Sequence, residues 1–266
     1  MPKNIKNRGF GNKKKLKKSP LKGKPHRFAG QSVHEEMDRL VNDKFLIYLL
    51  GATFFTLLAA LEWWAFYRNA PRLPYTYTFV ALLAILTCIY QFFKIRSQYR
   101  SLKLGRDGEQ VVGQYLESLR REGFYVYHDI IGDGFNIDHV VICEQGVFAI
   151  ETKTYSKPAK GKPMIKNEGS ALLIAGYRNE TIPVQARAIK ASLKSIIEPY
   201  MTKQTPVRAA VIFPGWFVDV DHKKLDFWVL HPTGLMPFIE HCEKILTVDE
   251  AKKLSNHFSR VVRPID

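Results

Sequence analysis

The sequence predicts an α/β protein in which a pair of membrane-spanning helices precedes a cytoplasmic α/β domain with a central mixed sheet. Three observations support this fold class: two long uncharged apolar runs, a basic segment before them, and helix and strand patterns from about residue 101 onward. A chain of 266 residues, 46% of them hydrophobic, can bury a sizeable core, so disorder throughout is excluded.

The positive charge is concentrated at the N-terminus. Residues 1–30 contain eleven Lys or Arg residues and no acid, whereas the rest of the chain has 29 basic and 25 acidic residues. The formal net charge of +15 therefore comes mostly from this segment. We predict that residues 1–44 form a basic, largely disordered cytoplasmic tail. Its partner is either anionic lipid, which requires no additional assumption, or nucleic acid.

The two apolar runs are long enough to cross a bilayer. Residues 45–61 contain no charge and the apolar character resumes after Glu62, while residues 75–93 form a second uncharged run. Buried helices of a soluble protein are the alternative, but their apolar runs are usually shorter. The sequence therefore predicts a transmembrane hairpin over residues 45–93, with spans at about 45–67 and 75–93.

The flanking residues predict the orientation of this hairpin. Aromatic residues cluster around the connection, as at a membrane interface, and the connection carries only Arg68 and Arg72. Five basic residues follow the second span: Lys94, Arg96, Arg100, Lys103 and Arg106. Because Lys and Arg favour the cytoplasmic side, we predict a multi-pass protein of the cytoplasmic membrane with both termini in the cytoplasm. The cysteines, Cys88, Cys143 and Cys242, are far apart, which indicates a reducing compartment and no disulfide framework.

Residues 101–266 are predicted to form one cytoplasmic domain with the order α-β-β-β-α-β and later additions. The predicted helices cover about 107–122, 183–200 and 247–262, and the predicted strands cover 124–131, 136–143, 147–153, 207–213 and 226–230.

Three charged residues interrupt the regular pattern of the second and third strands. Glu151 and Lys153 share one face of their strand because side chains alternate. A two-residue turn at Glu144 and Gln145 would place Asp138 opposite Glu151, about 5 Å away between Cβ atoms. A three-residue bulged turn at Gly146 is the alternative, and it would move Asp138 to the other face.

Two adjacent carboxylates repel each other unless a cation lies between them. Mg²⁺ binds one or two carboxylates together with phosphate oxygens. Lys153 would then orient or deprotonate a water, or stabilise charge on a phosphate. This predicts metal-assisted phosphodiester hydrolysis. The alternative is an edge hairpin whose Asp138, Glu151 and Lys153 are solvated and form a weak surface ion pair.

The segments "GRDGEQVVGQYL", "IDHVVICEQGVFAIETKTY" and "PVQARAIKASLKSII" together resemble the nuclease-related domain, NERD, which is similar to the PD-(D/E)-x-K nuclease superfamily. The resemblance covers about residues 101–215, and the middle segment is the most specific. It implies a nuclease-like fold in which Asp138 and Glu151 bind Mg²⁺ or Mn²⁺ and Lys153 is catalytic.

The resemblance also implies two further site residues. Glu109, on the first helix of the domain, would be a third metal ligand, and Gln185 matches a polar position on the later helix. The Asn-Pro expected before Gln185 reads Ile182-Pro183 here. The implied function is cleavage of DNA or RNA at the membrane; the alternative is an inactive nucleic-acid-binding or scaffold protein. His128 and His139 are predicted to be structural, with His139 also a candidate for contacting substrate.

Overall fold

The computed structural model describes residues 25–69, 73–132, 134–159, 161–201 and 205–262. The helices are α1 (Gln31–Arg39), α2 (Leu46–Tyr67), α3 (Pro74–Leu119), α4 (Thr181–Ile197), α5 (Leu235–Glu240) and α6 (Val248–Val261). The strands are β1 (Tyr125–Gly132), β2 (Phe135–Cys143), β3 (Gly146–Thr152), β4 (Met164–Glu168), β5 (Ala171–Ile174), β6 (Tyr177–Asn179), β7 (Val207–Ile212), β8 (Phe217–Asp219) and β9 (Trp228–Leu230).

The end of the predicted tail is helical. Helix α1 packs against α3 with Met37 buried, and a π-helical segment, Leu40–Phe45, joins α1 to α2. The predicted disorder is therefore wrong for residues 31–44, because this stretch has apolar side chains to bury and a helix to bury them on. Residues 1–24 of the predicted tail lie outside the described residues.

Helices α2 and α3 pack against each other and contain both apolar runs. Trp63 Nε1 donates a 2.8 Å hydrogen bond to Thr78 Oγ1, which ties the two helices together near their connection. Both helices are long and apolar enough to cross a membrane by length and composition, and only 11% of each apolar window is buried. The large side chains along them, such as Leu50 and Leu86, are exposed.

Helix α3 runs without interruption from the second apolar run into the α/β domain. Its 46 residues span about 70 Å at 1.5 Å per residue. The helix predicted to begin at residue 107 is instead the last part of α3, because no proline and no break in helical backbone separates residues 94–106 from it. The short helical turn Arg120–Glu122 and Gly123, with φ of 91°, end this element.

The central sheet has the strand order β1-β2-β3-β7-β9. Strands β1, β2 and β3 are antiparallel, whereas β3, β7 and β9 are parallel, so the sheet is mixed as predicted. Helices α3 and α5 cover one face, and α4 and α6 cover the other.

The turn between β2 and β3 has two residues, so the predicted register is confirmed. Cys143 pairs with Gly146, and the ladder continues to His139 opposite Ile150. Gly146 has φ of 127°, and a Cβ there would lie 2.6 Å from the Pro206 carbonyl oxygen. Glycine is required here because a side chain would push β3 away from the segment leading into β7.

A second sheet has the order β6-β5-β4-β8; along the chain β4, β5 and β6 lie between β3 and α4, and β8 follows β7. The sequence patterns did not predict it, because its strands are only three to five residues long. Its buried Ile165 and Leu172 pack in one cluster with Ile182 of α4 and Val211 of β7. The insertion therefore covers the flank of the central sheet next to the end of β3.

Candidate active site

Asp138 and Glu151 converge where the β2–β3 ladder ends. The last paired residues are His139 and Ile150, and the next position on each strand carries a carboxylate. Beyond the ladder, Asp138 Oδ2 accepts a 2.7 Å hydrogen bond from the Thr152 backbone N–H. Both carboxyl residues are buried, at 7% and 9% exposure. The predicted solvated edge hairpin is therefore not what the chain forms.

Lys153 follows β3 directly and forms an ion pair with Glu151. Its Nζ lies 2.7 Å from Glu151 Oε1, and its backbone N–H donates to the Ile212 carbonyl at 2.9 Å. Burial lowers the pKa of Lys153, but the Glu151 carboxylate outweighs this effect and holds the pKa above its ordinary value. Lys153 is therefore a charged donor at neutral pH and not a base.

Glu109 approaches the same carboxylates from α3. The preceding Gly108 allows this approach, because a Cβ at that position would collide with the Thr154 side chain. Glu109 is 7% exposed, and its Oε2 is buried without a hydrogen-bond partner in the part of the chain that the structure describes. Burial first, and then Asp129 and Glu151, raise the pKa of Glu109 to about 7.

The carboxylates oppose one another's ionisation. Burial raises the pKa of Asp138 well above its ordinary value, and the charges of Glu151 and Glu109 raise it further. The Thr152 N–H and Lys153 act in the opposite direction but do not offset the burial. Such a group of desolvated oxygens gains most from a bound cation, which favours the ionised form of every carboxylate.

A fourth buried carboxylate, Asp129 of β1, was missed by the sequence analysis. The strand register places it opposite Asp138, and its φ of 53° is left-handed. Asp129 Oδ2 accepts hydrogen bonds from the Arg27 side chain and, at 3.0 Å, from the Ser32 backbone N–H. The signal in the sequence was a single acid within the apolar strand segment "YHDII". The segment before α1 therefore attaches directly beside the site.

His128 and His139 form a buried chain with Glu117 and Thr152. Glu117 Oε1 lies 2.7 Å from His128 Nε2, the two Nδ1 atoms lie 2.8 Å apart, and His139 Nε2 lies 3.2 Å from Thr152 Oγ1. All contacts are satisfied when both rings are neutral, and burial lowers the pKa of each histidine. The structural interpretation is supported, but the predicted substrate contact by His139 is wrong because its ring is fully buried.

The remaining predicted residue, Gln185, is not joined to the others. It lies on the exposed face of α4, between the buried Pro183 and Ala186. None of the hydrogen bonds or ion pairs described for the chain involves it. Among the described residues, no group of three or more His, Cys, Asp or Glu side chains is arranged to hold a metal. Two of the carboxylates are instead engaged by Lys153 and Thr152.

The fold and the site define a class: a mixed α/β domain that buries several carboxylates beside an ion-paired lysine at the end of adjacent strands. Residues 104–214 match the family model of the nuclease-related domain, NERD. This part of the chain is therefore a nuclease-related domain, and it contains Glu109, Asp138, Glu151, Lys153 and Gln185.

A curated relative supports no finer statement about activity. Over 56 residues the chain is 43% identical to an uncharacterized protein from Bacillus anthracis. This match covers 19% of the present chain and 26% of that protein, so the chain spans about a quarter of the relative's length. No solved structure matches the chain significantly.

Proposed function

We propose that this protein is a membrane-anchored, metal-dependent nuclease of the PD-(D/E)-x-K type that hydrolyses phosphodiester bonds of DNA or RNA on the cytoplasmic side. The observation that carries the proposal is the burial of Glu109, Asp138 and Glu151 around the ion-paired Lys153, within a nuclease-related domain. The observed order α3-β1-β2-β3, then α4 and β7, agrees with the predicted order of the fold.

The donor type, carboxylate oxygen, fits Mg²⁺ or Mn²⁺, and the side chains would have to turn toward a common point to bind one. Asp138, Glu151 and Glu109 would hold the ion, and Glu109 Oε2 is a buried oxygen without a hydrogen-bond partner among the described residues. When bound, the cation would polarise the phosphate and lower the pKa of a water.

Besides a bound cation, Lys153 would supply positive charge at the site. Its ammonium group donates to a phosphate oxygen as negative charge grows there, and burial strengthens this interaction by excluding water. Thr152 holds Asp138 in place through its backbone N–H. The His128–His139 chain fixes the side chain of Thr152 from the opposite face of the sheet.

The helical hairpin supports the membrane anchor. Core helices of a soluble protein are mostly buried, whereas only 11% of each apolar window is buried here. Exposed apolar surface of this extent marks a contact with lipid or with another protein. Because α3 is continuous, Glu109 lies about 24 Å along the helix from Phe93, which would hold the site at a set distance from the bilayer.

The proposal is tested with the full chain purified in detergent and incubated with labelled DNA and RNA. We expect cleavage with Mg²⁺ or Mn²⁺, none with chelator, and a loss of at least about 100-fold in Lys153→Ala. Lys166→Ala is the matched control, since Lys166 also forms an ion pair, 3.6 Å from Asp219, but on the exposed second sheet.

Two results would contradict the proposal in different ways. Cleavage that persists in both Lys153→Ala and Asp138→Asn would show that the site is elsewhere. Tight binding of DNA or RNA without cleavage under any divalent metal would favour the alternative, a nonenzymatic protein that holds nucleic acid at the membrane.

A further inference from the structure

The parallel strands β3, β7 and β9 end level with one another. Thr152 pairs with Ile212, and Ile212 pairs with Leu230. The segments that follow these strands, beginning with Lys153 and His231, therefore leave from one edge of the sheet. Open α/β sheets bind their ligands at the carboxyl edge of parallel strands.

A cavity of about 730 Å³ opens at this edge. It is lined by the segments after β3, β7 and β9, by β8 and by α5, and its walls include Lys157, Phe217, His222, His231 and Phe238. This volume lies within the usual range for small-ligand pockets, about 300–1,000 Å³. Voids left by imperfect packing are few and much smaller than this cavity.

Two histidines line this cavity. His231 Nδ1 contacts Thr233, 2.9 Å from its Oγ1 and 3.4 Å from its backbone nitrogen, so Nε2 is the ring nitrogen that these contacts leave for a ligand. His222 packs edge-to-face on Phe238 at 4.9 Å, and its Nδ1 is buried without a hydrogen-bond partner among the described residues. Because this atom has no accessible surface, it does not face the cavity, and His231 is the histidine placed to hydrogen-bond to a bound molecule.

The rim of the cavity combines a cation with an exposed aromatic ring. Lys157 is four residues beyond Lys153 and forms no ion pair with the described residues. A Cβ at Gly215, which follows β7, would lie 3.4 Å from Lys157 Nζ, so the ammonium group rests against this loop. Phe217 is 62% exposed. A cation and an exposed aromatic ring that line one cavity are typical of sites that bind single-stranded nucleic acid.

We propose that this cavity binds one unpaired nucleotide next to the bond that is cleaved. Phe217 and Phe238 contact the base, His231 hydrogen-bonds to its edge, and Lys157 contacts the backbone phosphate. The proposal rests on the proposed nuclease function, since it adds a subsite to the same sheet edge. A base within a duplex is paired and stacked and does not enter such a cavity, so the substrate class is single-stranded nucleic acid.

The test measures binding by the full chain in detergent, with chelator present to prevent cleavage. The probes are short labelled single strands of DNA and of RNA, and a duplex of the same sequence. We expect the single strands to bind more tightly, and Phe217→Ala and His231→Ala each to weaken that binding about tenfold. Tyr177→Ala is the matched control, because Tyr177 is also an exposed aromatic residue, 81% exposed, on the far edge of the second sheet.

Lys157→Ala tests the phosphate contact against Lys166→Ala as its control. Duplex that binds as tightly as single strands would overturn the proposal, and so would pocket variants that bind as their controls do. If cleavage depends on Lys153 but neither binding nor cleavage depends on the cavity, the subsite is wrong and the nuclease function stands. If binding depends on the cavity but no cleavage occurs with any metal, the subsite stands and the nuclease function is wrong.

Discussion

The backbone N–H of Thr152 donates a 2.7 Å hydrogen bond to the side chain of Asp138, where the regular β2–β3 ladder has just ended. The Asp138 side chain thus takes the place of a β2 backbone carbonyl as the hydrogen-bond acceptor for the Thr152 N–H. The Asp138 carboxyl group is buried near those of Glu151 and Glu109. The same side chain therefore holds the end of β3 against β2 and contributes a carboxylate to the candidate site.

This double role predicts different outcomes for two substitutions of Asp138. Asp138→Asn keeps an acceptor for the Thr152 N–H and removes a buried charge, so stability should be unchanged or higher. Asp138→Ala leaves the N–H unpaired and should cost about 1–3 kcal/mol. Both should abolish cleavage. Chemical denaturation measures the stability of the two variants. Equal stability would show that the hydrogen bond contributes little.

The acidic cluster predicts that metal-free stability falls as pH rises. Glu109 and Asp138 have a folded pKa above the ordinary value, so the folded state binds more protons than the unfolded state. For Glu109 this contribution to stability is present below the ordinary pKa of 4.5 and is lost as pH rises through about 7. For Glu109 alone the loss is about 3 kcal/mol. Mg²⁺ should restore it, raising the melting temperature more above pH 7 than below.

The measurement of stability against pH needs a control variant and a lower limit of pH. Glu109→Gln should flatten the pH dependence, whereas Glu198→Gln, an exposed residue after α4, should leave it intact. Measurements begin at about pH 6.5, because the lowered pKa of His128 and His139 makes the folded state lose stability when pH falls below that value. Above pH 6.5 the remaining part of the Glu109 loss is about 1 kcal/mol. A flat profile in the unmodified protein would contradict the predicted burial of the acids.

The close approach of α3 to the segment after β3 predicts opposite effects of alanine at two glycines. Gly108→Ala collides with Thr154 and should destabilise the domain by about 1–3 kcal/mol, with loss of cleavage because Glu109 moves away. Gly105→Ala, three residues earlier, meets no atom within 4 Å and should stabilise the helix by up to about 1 kcal/mol. Thermal unfolding and a cleavage assay separate the two; similar behaviour would contradict the predicted contact.

The Arg27–Asp129 pair predicts a large effect from the segment that precedes the first apolar run. The Asp129 side chain is fully buried, so Arg27→Ala leaves an unpaired buried charge and should cost about 3 kcal/mol. Adding Asp129→Asn should recover much of this loss. Arg178→Ala is the control, since Arg178 pairs with Glu168 and Glu180 on the surface, where solvent screens the pairs, and should leave stability nearly unchanged. A double variant no more stable than Arg27→Ala would contradict this coupling.

The distribution of Lys and Arg predicts the membrane topology. A reporter fused after residue 266 should be active only as a cytoplasmic fusion, because the basic residues flank the hairpin on that side. A reporter that requires export for activity serves as the reciprocal control. Activity of the exported reporter alone would place the α/β domain outside the cytoplasm and would exclude the proposed cytoplasmic substrate.

The parts of the site that sequence reasoning predicted are those set by local pattern. Period-two alternation and the Glu144-Gln145-Gly146 turn were enough to place Asp138 and Glu151 opposite each other, and the structure has that register. Glu109 was reached only through the family resemblance, because helical periodicity assigns it no role. Neither route predicted Asp129 with Arg27, which are 102 residues apart and pair only because α1 folds back onto α3.

The sequence by itself determined the two apolar helices, the hairpin register and the position of its charges, because each depends on neighbours within a few residues along the chain. Tertiary structure decided how those charges behave. The pKa of Asp138 and of Glu109 rises because α3 and the strand ends exclude water from them, and Lys153 stays charged because Glu151 is held beside it. Desolvation depends on which distant elements cover a side chain, and that is decided only when the layers pack together.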